Sequence, residues 1–190
     1  MGMLSDALAR MREPRPPREA AAPLQLAAAA GCLDEARRAA GAGADWINFT
    51  QRSLCYDRRL READPWLREC AEAAAIAHRA RRRIAFAFAA RYGTAELPRV
   101  ARAAARLAEA GADALIASDL GTLDLIRREA PGIALHVSPQ ASATNRAALA
   151  LFAEEFGAAR VAIPASLPLA RLRHLVAAPP VELELFGHGT

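Results

Sequence analysis

Three helix endings in this chain share one pattern, in which a glycine closes a helical stretch and a short apolar segment follows. They are Gly43-Ala44-Asp45, Gly111-Ala112-Asp113 and Gly157-Ala158-Ala159. Glycine is common just past a helix end because it adopts the left-handed conformation without a Cβ penalty. The apolar segments that follow do not alternate with polar residues, as expected of strands covered on both faces. Repetition of this unit predicts an array of β/α units.

The pattern predicts seven strands, at residues 24–30, 46–49, 84–90, 114–117, 133–137, 161–163 and 181–186. Six helices are predicted between them, at 33–42, 65–82, 97–110, 120–130, 145–156 and 169–177. A closed β/α barrel has eight of each, so we predict an incomplete, parallel TIM-like barrel of class α/β over residues 23–190. The competing fold is a doubly wound sheet, but no glycine-rich phosphate turn follows the first strand. Residues 1–22, rich in Arg and Pro, are predicted to be a flexible extension outside the fold.

Composition excludes several kinds of chemistry. All 25 basic residues are arginine, so a Schiff-base lysine and a P-loop lysine are both excluded. The arginines alternate with acids on helix faces, and the net charge of +4 therefore does not by itself indicate nucleic-acid binding. No apolar run reaches the roughly 20 residues of a membrane span, and the charged N-terminus does not resemble a secretory signal. We therefore predict a cytoplasmic protein.

Reactive groups of β/α barrels lie where strands end and loops begin. Here those positions hold Asn48, Asp119, His136, Ser138, Gln140, Glu184 and His188. His136 could act as an acid or base or be satisfied by backbone, and Asp119 could instead cap the helix that follows it. Glu184 lies in an apolar strand and is expected to meet an arginine or a ligand. His188 belongs to the mouth or to a frayed terminus, and this spacing by itself indicates no particular reaction.

Two stretches resemble peptidase family U32, the collagenase-like peptidases. One runs from Gly111-Ala112-Asp113-Ala114-Leu115-Ile116 through His136-Val137-Ser138 to Gln140-Ala141-Ser142-Ala143-Thr144-Asn145, and the other is Leu183-Glu184-Leu185-Phe186-Gly187-His188-Gly189. The resemblance covers residues 25–190 and is closest to members that act in oxygen-independent ubiquinone biosynthesis. It implies a barrel whose pocket is faced by His136, Ser138, Gln140, Asn145 and Glu184.

The resemblance also implies an activity and a cofactor. Family activities are hydroxylation of a ubiquinone precursor, hydroxylation of a base in tRNA or ribosomal RNA, and peptidase activity. Hydroxylating members hold an iron–sulfur cluster through cysteines that begin just after the last strand motif, whereas Cys32, Cys55 and Cys70 of this chain lie at none of those positions. Thiolates are the usual cluster ligands, so we expect no metal or cluster site formed by this chain alone, which would be truncated before the cysteine-rich part.

Three functional hypotheses follow. The first is a ubiquinone-hydroxylation-like barrel that works with a cluster-bearing homologue, or that self-associates to cover its open seam. The second is a degenerate, non-catalytic barrel that binds a partner or small ligand. It is motivated by departures from the family pattern at Gln25, Ala29 and Ala165. The third, a peptidase, rests on the family name, because the sequence offers no nucleophile–base pair and no HExxH motif.

Overall fold

The computed structural model describes residues 23–55 and 65–188 and contains one seven-stranded parallel sheet in the order β1-β2-β3-β4-β5-β6-β7. Every hydrogen-bonded neighbour in the sheet is also the next strand along the chain. The strands are β1 (Ala27–Ala30), β2 (Trp46–Phe49), β3 (Arg83–Phe88), β4 (Ala114–Ala117), β5 (Ala134–Val137), β6 (Arg160–Ala162) and β7 (Glu182–Glu184). Sequential order, parallel pairing and helical crossovers make this an incomplete TIM-like barrel, and the predicted fold class is confirmed.

Seven α-helices lie in the described part of the chain, one more than the six predicted. They are α1 (Leu33–Gly41), α2 (Arg52–Cys55), α3 (Pro65–Arg79), α4 (Leu97–Glu109), α5 (Leu120–Glu129), α6 (Arg146–Glu154) and α7 (Leu169–Val176). The additional helix, α2, is a single turn in the polar stretch after β2, where no helix was predicted. Two short 3₁₀ helices, Thr94–Glu96 and Pro139–Ala141, precede α4 and follow β5. The proposed extension at residues 1–22 lies outside the described residues.

The repeated glycine motif has the same backbone conformation at two helix ends. Gly43 and Gly111 both have φ +95° and follow the last residue of α1 and α4 by two positions. This left-handed conformation lets the chain reverse into the next strand. Asp45 accepts a hydrogen bond at 2.9 Å from the Leu26 N–H just before β1, and Asp113 accepts one at 2.8 Å from the Ile84 N–H, the second residue of β3. The motif therefore joins each helix end to the sheet.

Side chains along each strand point alternately to the helices and to the barrel interior. The helix-facing residues form the main core, which includes Ile47, Phe49, Phe86, Leu115 and Val161. A separate apolar cluster on the interior face is smaller, with Trp46 packed against small alanines. The alanines explain why the strand sequences show no alternation of apolar and polar residues, even though the two faces differ.

Strand ends differ from the predicted ones where the interior is polar. β1 begins at Ala27, not at residue 24, and β7 covers Glu182–Glu184, not 181–186. β3 begins at Arg83, not at residue 84; this arginine is exposed, and its guanidinium lies over the ring of Trp46. No helix in the described residues is long and apolar enough to cross a membrane.

Candidate functional site

Arg160 is the centre of a polar cluster inside the barrel. It is the first residue of β6 and, although it is charged, it is only 4% exposed. Its Nη2 donates to Glu182 Oε1 at 2.7 Å and to Gln25 Oε1 at 3.0 Å. Its Nη1 lies 3.5 Å from Glu184 Oε2. The guanidinium is therefore neutralised by two carboxylates, as a buried cation must be.

Trp46 lies against this cluster at the start of β2. Its Nε1 donates to Gln25 Oε1 at 3.0 Å. The guanidinium carbons of Arg83 and Arg160 lie 4.3 and 4.7 Å from the indole ring centroid, within cation–π distance. These contacts cover the indole, which is only 3% exposed, and fix its orientation in the interior.

His136 contacts Trp46 on the interior face. The two ring centroids are 4.9 Å apart, with the rings inclined at 60°. Burial, assisted by the charges of Arg160 and Arg83, lowers the pKa of His136 to about 3. The imidazole is therefore neutral near pH 7, and its Nδ1 is buried without a hydrogen-bond partner. The alternative that backbone satisfies the imidazole does not hold for Nδ1, and a role of His136 as an acid or base stays a prediction.

Asn48 and Glu184 join β2 to β7 across the interior. Asn48 Nδ2 donates to Glu184 Oε1 at 2.9 Å, and this bond fixes which way the amide points. Its Oδ1 then faces away, buried and without a partner. Glu184 meets Arg160, as predicted for an acid inside an apolar strand. We call the set Gln25, Trp46, Asn48, His136, Arg160, Glu182 and Glu184 the interior cluster.

An open cleft of about 690 Å³ lies at the carboxyl ends of β1 and β2. It is lined by Ala29, Ala30, Gly31, Glu35, Thr50 and Arg52. Ala29 is the register partner of Asn48 in the β1–β2 pair, so the cleft borders the interior cluster. The carboxyl end of the strands is the face at which β/α barrels bind their ligands.

Two of the candidate residues cap helices. The Asp119 carboxylate accepts from the backbone N–H groups of Gly121 at 3.2 Å and Thr122 at 3.0 Å, at the start of α5. Asn145 Oδ1 accepts from the Ala148 N–H at 2.9 Å, at the start of α6. Both bonds satisfy orphan N–H groups of a first helical turn. The capping alternative for Asp119 is therefore confirmed, and a pocket role for either residue stays a prediction.

The remaining candidates lie at the rim or beyond it. Ser138 is buried at the end of β5 and its hydroxyl donates to Gln140 Oε1, whereas Gln140 itself is exposed. His188 is exposed after β7. The structure brings Asn48, His136 and Glu184 into one cluster and leaves these three outside it.

Sequence reasoning missed Trp46, Arg160 and Glu182 as interior residues. Trp46 was assigned to a buried strand without a distinct role, and Arg160 was placed just outside the sixth strand. The spacing of two residues was a signal that could have found two of them. Residues two apart in a strand share a face, so Trp46 lies on the face of Asn48, and Glu182 lies on the face of Glu184.

The described cysteines do not fit an iron–sulfur cluster. Cys32 is exposed, while Cys55 and Cys70 are buried. Burial raises the pKa of both buried thiols, whereas a cluster is held by thiolates. Within residues 23–55 and 65–188, no three His, Cys, Asp or Glu side chains converge to hold a metal ion.

The sequence profile described as peptidase family U32 matches residues 31–190. The chain belongs to peptidase family U32. Among solved structures, the U32 peptidase Mk0906 superposes with a TM-score of 0.68 at 14% identity, over 90% of this chain and 72% of that one. A member of the enolase superfamily from Salmonella Typhimurium gives 0.58 at 11% identity, over 87% and 50% of the two chains. At these identities the likeness shows the fold alone.

Two curated relatives match part of this U32 chain. The tRNA hydroxylation protein P of Escherichia coli K12 is 38% identical over 82 residues, which are 43% of this chain and 18% of that protein. Its counterpart in Haemophilus influenzae is 41% identical over 80 residues, 40% of this chain and 17% of that protein. The matches therefore span less than a fifth of these relatives' own length.

Proposed function

We propose that this U32 barrel takes part in hydroxylation of a base in RNA, by holding the substrate. The observation that carries the proposal is the 38–41% identity to tRNA hydroxylation protein P over about 80 residues. The cleft at the carboxyl ends of β1 and β2 lies at the ligand-binding face of a barrel and is compatible with such a role, with Asn48 of the interior cluster beside it. A peptidase role has less support, because Ser138, which follows His136 by two residues, donates to Gln140 instead.

We also propose that any iron–sulfur cluster required for the reaction comes from outside the described residues. Such a cluster would supply the redox chemistry, and this chain would bind and orient the base. The proposal is supported by the placement of Cys55 and Cys70, whose burial disfavours the thiolate form. A cluster-bearing U32 relative is the proposed partner.

The test is expression of the chain in an E. coli strain that lacks its tRNA hydroxylation protein P. We would express it alone and together with a cluster-bearing U32 relative that is itself inactive on tRNA. Mass spectrometry of tRNA nucleosides then reports the gain of one oxygen atom. The proposal expects this product when both proteins are present, and expects none with the Asn48→Ala variant. Asp124→Ala, on the exposed face of α5, is the matched control and should retain the product.

Absence of the product in both arms, with soluble folded protein confirmed by circular dichroism, would overturn RNA hydroxylation and favour a non-catalytic binding barrel. Iron and sulfide assays on the purified chain test the cluster proposal separately. The chain alone should contain neither, and a stoichiometric cluster in it would contradict the proposed partner.

A ubiquinone precursor is the second candidate substrate. It is favoured by the stretch His136-Val137-Ser138 with Gln140 to Asn145, which resembles oxygen-independent ubiquinone-biosynthesis members. Quinone extracts from an anaerobic strain deleted for those members would show restored ubiquinone if this candidate is correct. Restored tRNA hydroxylation without restored ubiquinone would exclude it.

A further inference from the structure

The turn between α3 and β3 carries four arginines within five residues. They are Arg79, Arg81, Arg82 and Arg83, and we call this set the arginine turn. Three of them are exposed, and Arg82 is half-buried. The turn lies at the amino ends of the strands, on the face of the barrel opposite to the cleft. A run of this composition is typical of surfaces that bind polyanions.

The arginine turn has the same hydrogen bonds as the two glycine turns. The Arg81 N–H donates to His78 O at 2.9 Å. The N–H groups of Gly43 and Gly111 likewise donate to the carbonyl three residues back. In each turn the next N–H along the chain donates to the carbonyl five residues back, a pairing typical of helix ends with a left-handed residue. Arg81 therefore occupies, after α3, the position that glycine occupies after α1 and α4.

The backbone of Arg81 is in the left-handed region. Its φ is +59°, and Gly43 and Gly111 have φ +95°. A side chain disfavours this conformation because its Cβ approaches the following carbonyl oxygen, whereas glycine adopts it freely. Glycine at position 81 would therefore stabilise the turn. An arginine at a position that suits glycine indicates that its side chain has a role other than folding.

The acids that contact the arginine turn do not neutralise it. Asp45 Oδ1 lies 3.6 Å from Arg82 Nη1. Asp113, at the equivalent place before β4, instead binds His78 Nε2 at 2.9 Å. The sequence contains no Asp or Glu between residues 73 and 95, so the turn and its flanks supply no acid of their own.

The other three arginines keep their charges open to solvent. Among the residues that the structure describes, neither Arg79 nor Arg81 has an ion pair. The guanidinium of Arg83 lies 4.3 Å from the centroid of the Trp46 indole, which holds this charge in a defined position while the residue stays exposed. Three cations are therefore available to an external anion.

The chemistry of these side chains favours phosphate as that anion. A guanidinium presents paired N–H donors that match two phosphate oxygens, which makes arginine a common residue of phosphate and nucleic-acid recognition. Several cations on one exposed turn suit a chain of phosphates better than a single phosphate. An RNA backbone is such a chain, and RNA is the substrate class of the proposed function.

We propose that the arginine turn binds the phosphate backbone of RNA, and that Arg81 keeps its disfavoured conformation because of this contact. The inference deepens the proposed function and rests on it for the choice of RNA. β3 is six residues long, so the arginine turn and the mouth of the barrel are about 20 Å apart. The contact therefore strengthens RNA binding without selecting the base.

The experiment is fluorescence anisotropy of the full chain with labelled E. coli tRNA, titrated at several salt concentrations. Arg81→Gly removes one charge and places glycine in the left-handed position. We expect this variant to have a higher urea midpoint of unfolding, and to bind tRNA about fivefold more weakly at about 0.1 M salt. The slope of log K against log salt concentration should become shallower by about one.

Three further variants separate charge from backbone conformation. Arg81→Lys keeps a charge in the same conformation, so it should bind tRNA more tightly than Arg81→Gly and keep the wild-type urea midpoint. Arg79→Ala removes a charge without changing the left-handed residue and should also weaken binding about fivefold. Arg173→Ala is the matched control, because it removes an exposed arginine from the last turn of α7, between β6 and β7. Its tRNA affinity should equal that of the wild type.

Unchanged tRNA affinity in both Arg81→Gly and Arg79→Ala would overturn the inference, and so would an equal loss in Arg173→Ala. A lower urea midpoint of Arg81→Gly together with unchanged affinity would instead assign Arg81 to the helix end, where its charge meets the carbonyl groups of α3. Tighter binding of labelled polyglutamate than of tRNA would overturn the inference in favour of an acidic protein partner.

The two proposals can fail separately. Binding of tRNA that depends on Arg79 and Arg81, without tRNA hydroxylation, would preserve this surface and refute the proposed function alone. Hydroxylation of tRNA by a chain whose tRNA affinity is unchanged in both variants would do the opposite.

Discussion

Gln25 accepts a hydrogen bond from Arg160 at 3.0 Å, although 135 residues separate them along the chain. The same Gln25 oxygen accepts from Trp46 Nε1. Gln25 precedes β1 at one end of the sheet, and Arg160 lies on β6, next to the other end. The side chain thus connects the two ends of an incomplete barrel through its interior.

Replacing Gln25 should lower stability in a way that depends on its oxygen. Gln25→Leu removes the acceptor for two donors, and we expect a loss of about 1–2 kcal/mol in the free energy of unfolding by urea. Gln25→Glu keeps an acceptor beside the Arg160 cation and should match or exceed the wild type. Equal destabilisation by both variants would contradict a role for this hydrogen bond.

Removal of the buried cation should cost more than removal of a surface one. Arg160→Met leaves the half-exposed carboxylate of Glu182 and the partly buried one of Glu184 without their counter-ion, and we expect a loss of about 1–3 kcal/mol. Arg128→Ala, which breaks an exposed pair with Asp124, should cost less than about 1 kcal/mol. Urea denaturation measures the free energy of unfolding of both variants.

A rescue variant separates charge from packing in that result. Adding Glu184→Gln to Arg160→Met removes one unpaired carboxylate and should recover part of the lost stability. No recovery would indicate that Arg160 stabilises the barrel through packing and not through charge.

The sequence predicted the β/α array because glycine conformation and apolar runs are local properties. β2 and β4 were predicted with their observed bounds, and the glycine turns at Gly43 and Gly111 have the expected left-handed backbone. Interior contacts were not predictable in the same way. Gln25, Asn48 and Arg160 meet only after the sheet curls, and the alanines on the inner face hide the alternation that would have marked them.

Helix capping by Asp119 predicts an effect on stability that is separate from binding. Asp119→Ala should lower the free energy of unfolding by about 1 kcal/mol, since two backbone N–H groups of α5 lose their acceptor. Asp119→Asn keeps a capping oxygen and should cost less. The yield of the tRNA hydroxylation product should be unchanged in both, and its loss in soluble, folded variants would instead place Asp119 in the site.

The cysteines should differ in their reaction with a thiol reagent. Cys32 is exposed and should react in the native protein, whereas the burial of Cys55 and Cys70 protects them and raises their pKa. A colorimetric thiol assay should detect one group in native protein and three in denaturant. Cys32→Ser should abolish the native reaction, and fast labelling of Cys70 in that variant would contradict the packing around α3.

The buried imidazole of His136 should make stability fall as the solution is acidified. Its pKa is lowered from 6.5 to about 3 by burial and by the charges of Arg160 and Arg83. Between those pH values the unfolded chain binds the proton and the folded chain does not, so protonation favours unfolding. The contribution is present in full above pH 6.5. It is lost by up to about 1.4 kcal/mol per pH unit as the pH falls toward the pKa of the folded state.

His136→Phe removes the titrating group while keeping an aromatic ring against Trp46. Urea unfolding from about pH 7 to about pH 4.5 should therefore give a shallower decline for the variant than for the wild type. Parallel declines would show that His136 accepts its proton in the folded state, and would place a water or an acid beside Nδ1.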